Sequence, residues 1–221
     1  MFSFAMSDAN ASAVLTGDLI ASRAAPAGRV DDAMAALRDA AQAFGRRHDL
    51  DLRFTRSRGD SWQVLVADAG LALDAALVLL ARLRAADTGI ATRLAAGIGT
   101  VTDRGTSDLS DADGPAFVAS GDALEAMSRR HDLTIAGDGV GPMEVAIVAL
   151  CEAQVRRWTA AQAEAAALAL LDPRATQDDL ARLLNITRQA VQNRLSGAGV
   201  AALDLATTAF RHRFGSGGAG P

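Results

Sequence analysis

Two hydrophobic periods alternate between Ala13 and Ala136, and their order leaves few folds open. Ala13–Thr16 is a short apolar run that reads as a buried strand, and Asp18–Gly28 reads as a loop. Val30, Met34, Leu37, Ala41 and Phe44 recur at helical spacing, which predicts an amphipathic helix over Arg29–His48. Leu52–Ser57 and Ser61–Val66 predict a hairpin around Arg58-Gly59-Asp60. Leu71–Arg84 is apolar on nearly all sides and reads as a buried helix. Arg93–Val101 predicts a strand, and its Gly97-Ile98-Gly99 suits the close approach of a ligand or another backbone. Thr102–Gly114 carries Asp103, Asp108, Asp111 and Asp113 and reads as a mobile loop. A helix over Pro115–Arg130 and a short strand over Leu133–Ala136 complete the series.

The first six elements follow the βαββαβ order of a split-βαβ, ferredoxin-like sheet. The expected class is therefore α+β, with helices covering one face of an antiparallel sheet. After Gly137-Asp138-Gly139 the pattern is helical throughout. Met143–Arg157 is one helix. Thr159 suits the N-cap of a second, which reaches Leu171 and stops at Asp172-Pro173. Thr176 caps a third over Gln177–Leu184, Asn185-Ile186 is a tight turn, and Thr187 caps a fourth over Arg188–Leu195. Ala202–Phe214 is the last. The expected organisation is a sheet domain over residues 12–140, a helical connector over 141–173, an all-α helix-turn-helix domain over 174–214, and a flexible ending over 215–221. Residues 1–11 read as a frayed leader.

No apolar run approaches the ~18 residues that suggest a membrane span, and Met1–Met6 lacks the basic start and long apolar centre of a signal peptide. A single cysteine, Cys151, leaves no internal disulfide and suits a reducing cytoplasm. His48, His131 and His212 are too scattered to suggest a zinc site. All 22 basic residues are arginine, which excludes a P-loop lysine and a Schiff-base lysine. The net charge of −4 is uneven. From Arg174 onward six arginines oppose three aspartates, a local +3 that leaves −7 for the rest. A basic tail on an acidic body suits contact with phosphate.

Gly17-Asp18 and Gly59-Asp60 each read as a turn at the end of a strand. If those strands are neighbours, Asp18 and Asp60 converge. Two such carboxylates can share a divalent cation, Mg2+, Mn2+ or Ca2+; from spacing alone two ordinary turn aspartates is the simpler reading, since Gly-Asp is a common turn dipeptide. In the tail, Gln177–Ser196 has helix-turn-helix grammar. Ala181 is small where helices cross, Leu180, Leu184, Ile186, Val191 and Leu195 are apolar where the unit packs, and the turn falls at Asn185. The second helix then offers Thr187, Arg188, Gln189, Gln192, Asn193 and Arg194 to base edges or phosphates. A small helical bundle with a polar face is the alternative.

The segments Leu15–Arg23, Arg58–Gln63, Gly97–Gly99 and Asp113–Phe117 resemble SatD-family proteins, some of which carry a C-terminal helix-turn-helix. The sheet region also resembles, more distantly, the class III nucleotidyl cyclases. That resemblance implies a ferredoxin-like core, a homodimer with the site between subunits, and Asp18 and Asp60 as ligands of Mg2+ or Mn2+. It matches Gly121–Arg129 to a helical Gly-x-x-Val-Asn-x-x-x-Arg pattern, with Arg129 as the catalytic arginine on the phosphates. The match departs at three positions: Glu125 replaces the asparagine, Arg56 stands at the base-reading lysine, and Val118 stands at its partner. Arg23, Arg56, Arg58 and Gly59 are the remaining candidates for nucleotide or phosphate contact. Together these features point to a cytoplasmic, dimeric, DNA-binding transcriptional regulator with a cyclase-like nucleotide-sensing or dimerisation domain. An active metal-dependent nucleotidyl cyclase with a regulatory helical tail stays open, as does a non-catalytic dimeric scaffold.

Overall fold

The computed structural model describes residues 11–20, 25–26, 28–57, 59–106 and 108–215. Arg23 and Arg58, most of the expected leader and most of the expected flexible ending lie outside these residues. The fold is mixed: a five-stranded sheet in the order β2-β3-β1-β4-β5 and eight α-helices among the described residues. The strands are β1 (Ser12–Ile20), β2 (Phe54–Arg56), β3 (Ser61–Val66), β4 (Ala91–Gly99) and β5 (Leu133–Gly137). The helices are α1 (Arg29–His48), α2 (Ala72–Ala85), α3 (Pro115–Ala126), α4 (Pro142–Val155), α5 (Ala160–Leu171), α6 (Gln177–Leu184), α7 (Arg188–Ala198) and α8 (Val200–Phe214).

Central β1 is antiparallel to β3 on one side and to β4 on the other. β5 runs parallel to β4, so the sheet is mixed rather than wholly antiparallel. Alternation along β1 divides the two faces. Ala13, Leu15 and Leu19 join the main core with α1 and α2, whereas Val14 packs with Leu65, Leu109 and Ala116 of α3 in a smaller cluster. Helices therefore lie on both faces, not on one. The backbone that Gly97 admits is that of α3, since a Cβ there would strike the Ala116 carbonyl and the Ser120 amide.

β1 runs past Thr16 to Ile20, which corrects the turn expected at Gly17-Asp18. Gly17 pairs with Trp62 and Leu94 in the ladder. A Cβ on it would collide with the Trp62 ring and the Arg93 carbonyl, so this glycine makes room for an indole rather than for a bend. α3 also ends early, at Ala126, because Met127 is already extended (φ −63°, ψ 123°). The polar segment Thr102–Gly114 is fastened at several points. Asp103 bridges Asp113, the amide of the buried Leu109 donates to the Thr55 hydroxyl (2.8 Å), and Arg53 Nη1 donates to the Gly105 carbonyl (2.8 Å).

The tail helices begin where side-chain caps allow. Thr159, Thr176 and Thr187 accept from the amides of Gln162, Asp179 and Ala190. Their packing joins the sheet: Ala163, Ala166, Ala167 and Leu170 of α5 and Leu203 and Phe210 of α8 belong to the same buried cluster as α2. The Trp158 indole donates to the Ala198 carbonyl (2.8 Å), while Arg84 of α2 donates to the Trp158 carbonyl. Among the described residues no helix is long and apolar enough to cross a membrane.

Candidate functional site

Asp18 projects from β1 on the α3 side of the sheet, opposite Ser61 of β3 and Arg93 of β4. Arg93 grips it with a two-pronged fork: Nε to Oδ1 at 3.0 Å and Nη2 to Oδ2 at 2.6 Å. The pair is about a quarter exposed (27% for Asp18, 29% for Arg93), and donating to the Asp18 carboxylate raises the Arg93 guanidinium pKa above its ordinary value. Beneath it, the buried Thr92 hydroxyl accepts from the Trp62 indole (3.0 Å) and donates to the Asp18 carbonyl (2.8 Å). Position 18 is thus held through both backbone and side chain. Asp60 lies in the β2–β3 turn, where its carbonyl accepts from the Leu19 amide (3.0 Å), so the two aspartates come from neighbouring strands.

Both Asp18 oxygens accept from Arg93, and the guanidinium neutralises the carboxylate, so a Mg2+ or Mn2+ ion would share it with a cation already in place. Among the described residues no group of three His, Cys, Asp or Glu side chains is placed to hold a metal. Arg56 is also engaged, with Asp31 at 2.7 Å and the Gly59 carbonyl at 3.2 Å, which ties the hairpin to α1. Gly59 supplies the turn with φ 84°. Arg129 is exposed in a turn beyond the end of α3 rather than on it, and Glu125 and Val118 are on the exposed side of that helix. Arg93 was not singled out from sequence. Its signal is an arginine at the start of an otherwise apolar strand, and only the β1–β4 register reveals its partner.

The second candidate surface lies in the tail. Asn185 turns the chain in the left-handed conformation (φ 51°, ψ 46°), and Thr187 then caps α7. Val191 and Ala198 are buried, so α7 packs by one side. Thr187, Arg188, Gln189, Gln192 and Asn193 are exposed, which places five polar side chains along the first two turns. Arg188 reaches back to Gln177 Oε1 (3.4 Å) and lies 4.0 Å from Asp178. Arg194 contacts Glu164 of α5 at 3.0 Å and is half-buried, so it anchors α7 as well as carrying charge. The lone cysteine is remote in chemistry as in place: burial pushes the Cys151 thiol up to about 11, which leaves it protonated and unreactive at neutral pH. No family model matches this chain, and no curated protein is significantly similar to it.

Proposed function

We propose that this chain is a DNA-binding transcriptional regulator, in which α6, the Asn185 turn and α7 act as a helix-turn-helix and the sheet acts as a dimerisation or nucleotide-sensing platform. The observation that carries the reading is the exposed row Thr187, Arg188, Gln189, Gln192 and Asn193 at the start of a capped helix. Gln and Asn amides can pair with adenine edges, and Arg188 with guanine or phosphate. The sheet is read as ferredoxin-like because β2-β3-β1-β4 follows the split-βαβ order, with β5 added at one edge. The Arg93 fork on Asp18 favours a platform over a metal-dependent catalyst.

The test is selection of duplexes from a random pool by the full-length protein, followed by fluorescence anisotropy on the enriched sequence. The expected result is a two-half-site duplex with centres about one helical turn apart, bound by a dimer. Arg188→Ala should weaken binding to every sequence and reduce its salt dependence. Gln189→Ala or Asn193→Ala should erase discrimination of about 1–3 kcal/mol at single base pairs. No enrichment at low salt overturns the reading. A second reading, nucleotidyl cyclase, is favoured by one contact alone, the Leu19–Asp60 bond that sets the two aspartates on neighbouring strands. Pyrophosphate release from any nucleoside triphosphate with Mn2+, lost in Asp60→Asn, would establish it.

A further inference from the structure

Asp74 stands in the first turn of α2, is only 4% exposed, and lies among apolar neighbours. One of its oxygens is paired with Arg211 of α8, but the other, Oδ2, is buried with no hydrogen-bond partner. The Thr207 hydroxyl donates to the Asp204 carbonyl (3.2 Å) and lies close enough to Asp74 to hold its pKa down somewhat, without completing a bond to Oδ2. A buried carboxylate oxygen left unmatched is unusual and calls for an explanation. Asp74 is among the residues lining an open cleft of about 640 Å³ between α2, α5, α6, α7 and α8. That size lies within the range of small-molecule sites. Its walls are mainly apolar, with Leu170, Leu180, Leu195 and Val200, and Asp204 stands at the α8 side. Two carboxylates face the cleft against the single guanidinium of Arg211, so its polar end carries a net negative charge.

We infer that this cleft is a binding site for a small molecule with a protonated amine head and an apolar body, the ammonium meeting Asp74 and Asp204 and the body lying against Leu180 and Leu195. An ammonium carries three donors and no acceptor, which matches an unpartnered carboxylate oxygen. A carboxylate ligand would meet repulsion there, and a neutral alcohol would leave the charge uncompensated. Leu180 belongs to α6 and Leu195 to α7. An occupant therefore touches the helices that carry the exposed polar row; that consequence, unlike the binding itself, rests on the DNA-binding reading.

The test uses full-length protein without DNA, so failure of the DNA reading leaves it intact. Tryptamine, its alcohol analogue tryptophol and the matched indole-3-propionate are compared by calorimetry and thermal shift at neutral pH, where the amine is protonated. Tryptamine should bind and raise Tm, and the other two should be at least about tenfold weaker. Asp74→Asn should reduce the amine affinity by about tenfold or more. Ala202→Trp, at an exposed helical position lining the cleft, should abolish binding by filling it, and it carries the test if Asp74→Asn fails to fold. Equal binding of all three probes, no amine binding at millimolar concentration, or amine binding that survives Ala202→Trp overturns the proposal. So does light scattering that finds a dimer dissociated by Ala202→Trp, since the cleft would then be covered by a second copy.

Discussion

Replacing Gly17 by alanine drives a methyl group into the Trp62 indole and the Arg93 carbonyl. Both neighbours are fixed, one by its bond to Thr92 and the other by the β-ladder. The expected loss is about 1–3 kcal/mol, measurable by urea denaturation; an unchanged midpoint would show that the indole can move. Asp74 gives a prediction of opposite character. Burial raises its pKa to about 6, and the opposing pull of Arg211 is insufficient to restore the ordinary value. The folded state therefore holds a proton that the unfolded state releases near 3.8. The resulting stability is present below that value and is lost as pH rises through about 6. Relative to the parent, Asp74→Asn should gain roughly 2–3 kcal/mol of stability between acid and neutral pH. A constant difference across that interval would place the raised pKa in doubt. Arg211 and Asp204 are the charged groups that face it, and the variant leaves both in place. Asp74 shares its helix with Arg82 and Arg84 and has no local signal of its role, because its partner lies 137 positions away.

At the scale of the elements, local signals were read where local chemistry decides. Thr159, Thr176 and Thr187 cap helices because a threonine hydroxyl can satisfy a free amide two or three residues on. The Asn185 turn followed from the tolerance of asparagine for the left-handed region. Glycine tolerates it better, so Asn185→Gly should stabilise the chain by up to about 1 kcal/mol. Thermal denaturation checks this, and a destabilised variant would mean that the asparagine side chain holds the turn. Boundaries were less legible. Gly-Asp, a common turn pair, predicts an end to β1 at Thr16, and nothing local distinguishes a glycine that bends the chain from one that admits an indole. Helix-favouring residues continue to Arg130, yet α3 ends at Ala126 because Met127 is drawn into extended backbone and buried. The polarity of Thr102–Gly114 predicts a mobile loop, but Leu109 and Arg53 fasten it to the hairpin.

For the whole molecule, the division into a sheet domain, a connector and a helical tail rests on the change of pattern after Gly139. The packing runs across that division. α5 lies along α2, Trp158 joins α2 to the α7–α8 junction, and Arg211 joins α8 back to α2. Because one buried cluster includes residues from Ala13 to Phe210, unfolding should be a single cooperative transition. Coincident urea curves from far-ultraviolet circular dichroism and tryptophan fluorescence are expected. Two separated transitions would mean that the tail unfolds independently.

The order of strands and helices, the caps of the tail helices and the exposed polar row of α7 were determined by the sequence alone, since each depends on residues within a few positions of one another. The mixed sheet with helices on both faces, the Arg93 fork on Asp18, and the cleft over Asp74 were decided only by the tertiary structure. Each of these joins groups that are far apart in the chain, 75 positions for Asp18 and Arg93. Strand register and helix packing bring such groups together, and neither is written in local periodicity.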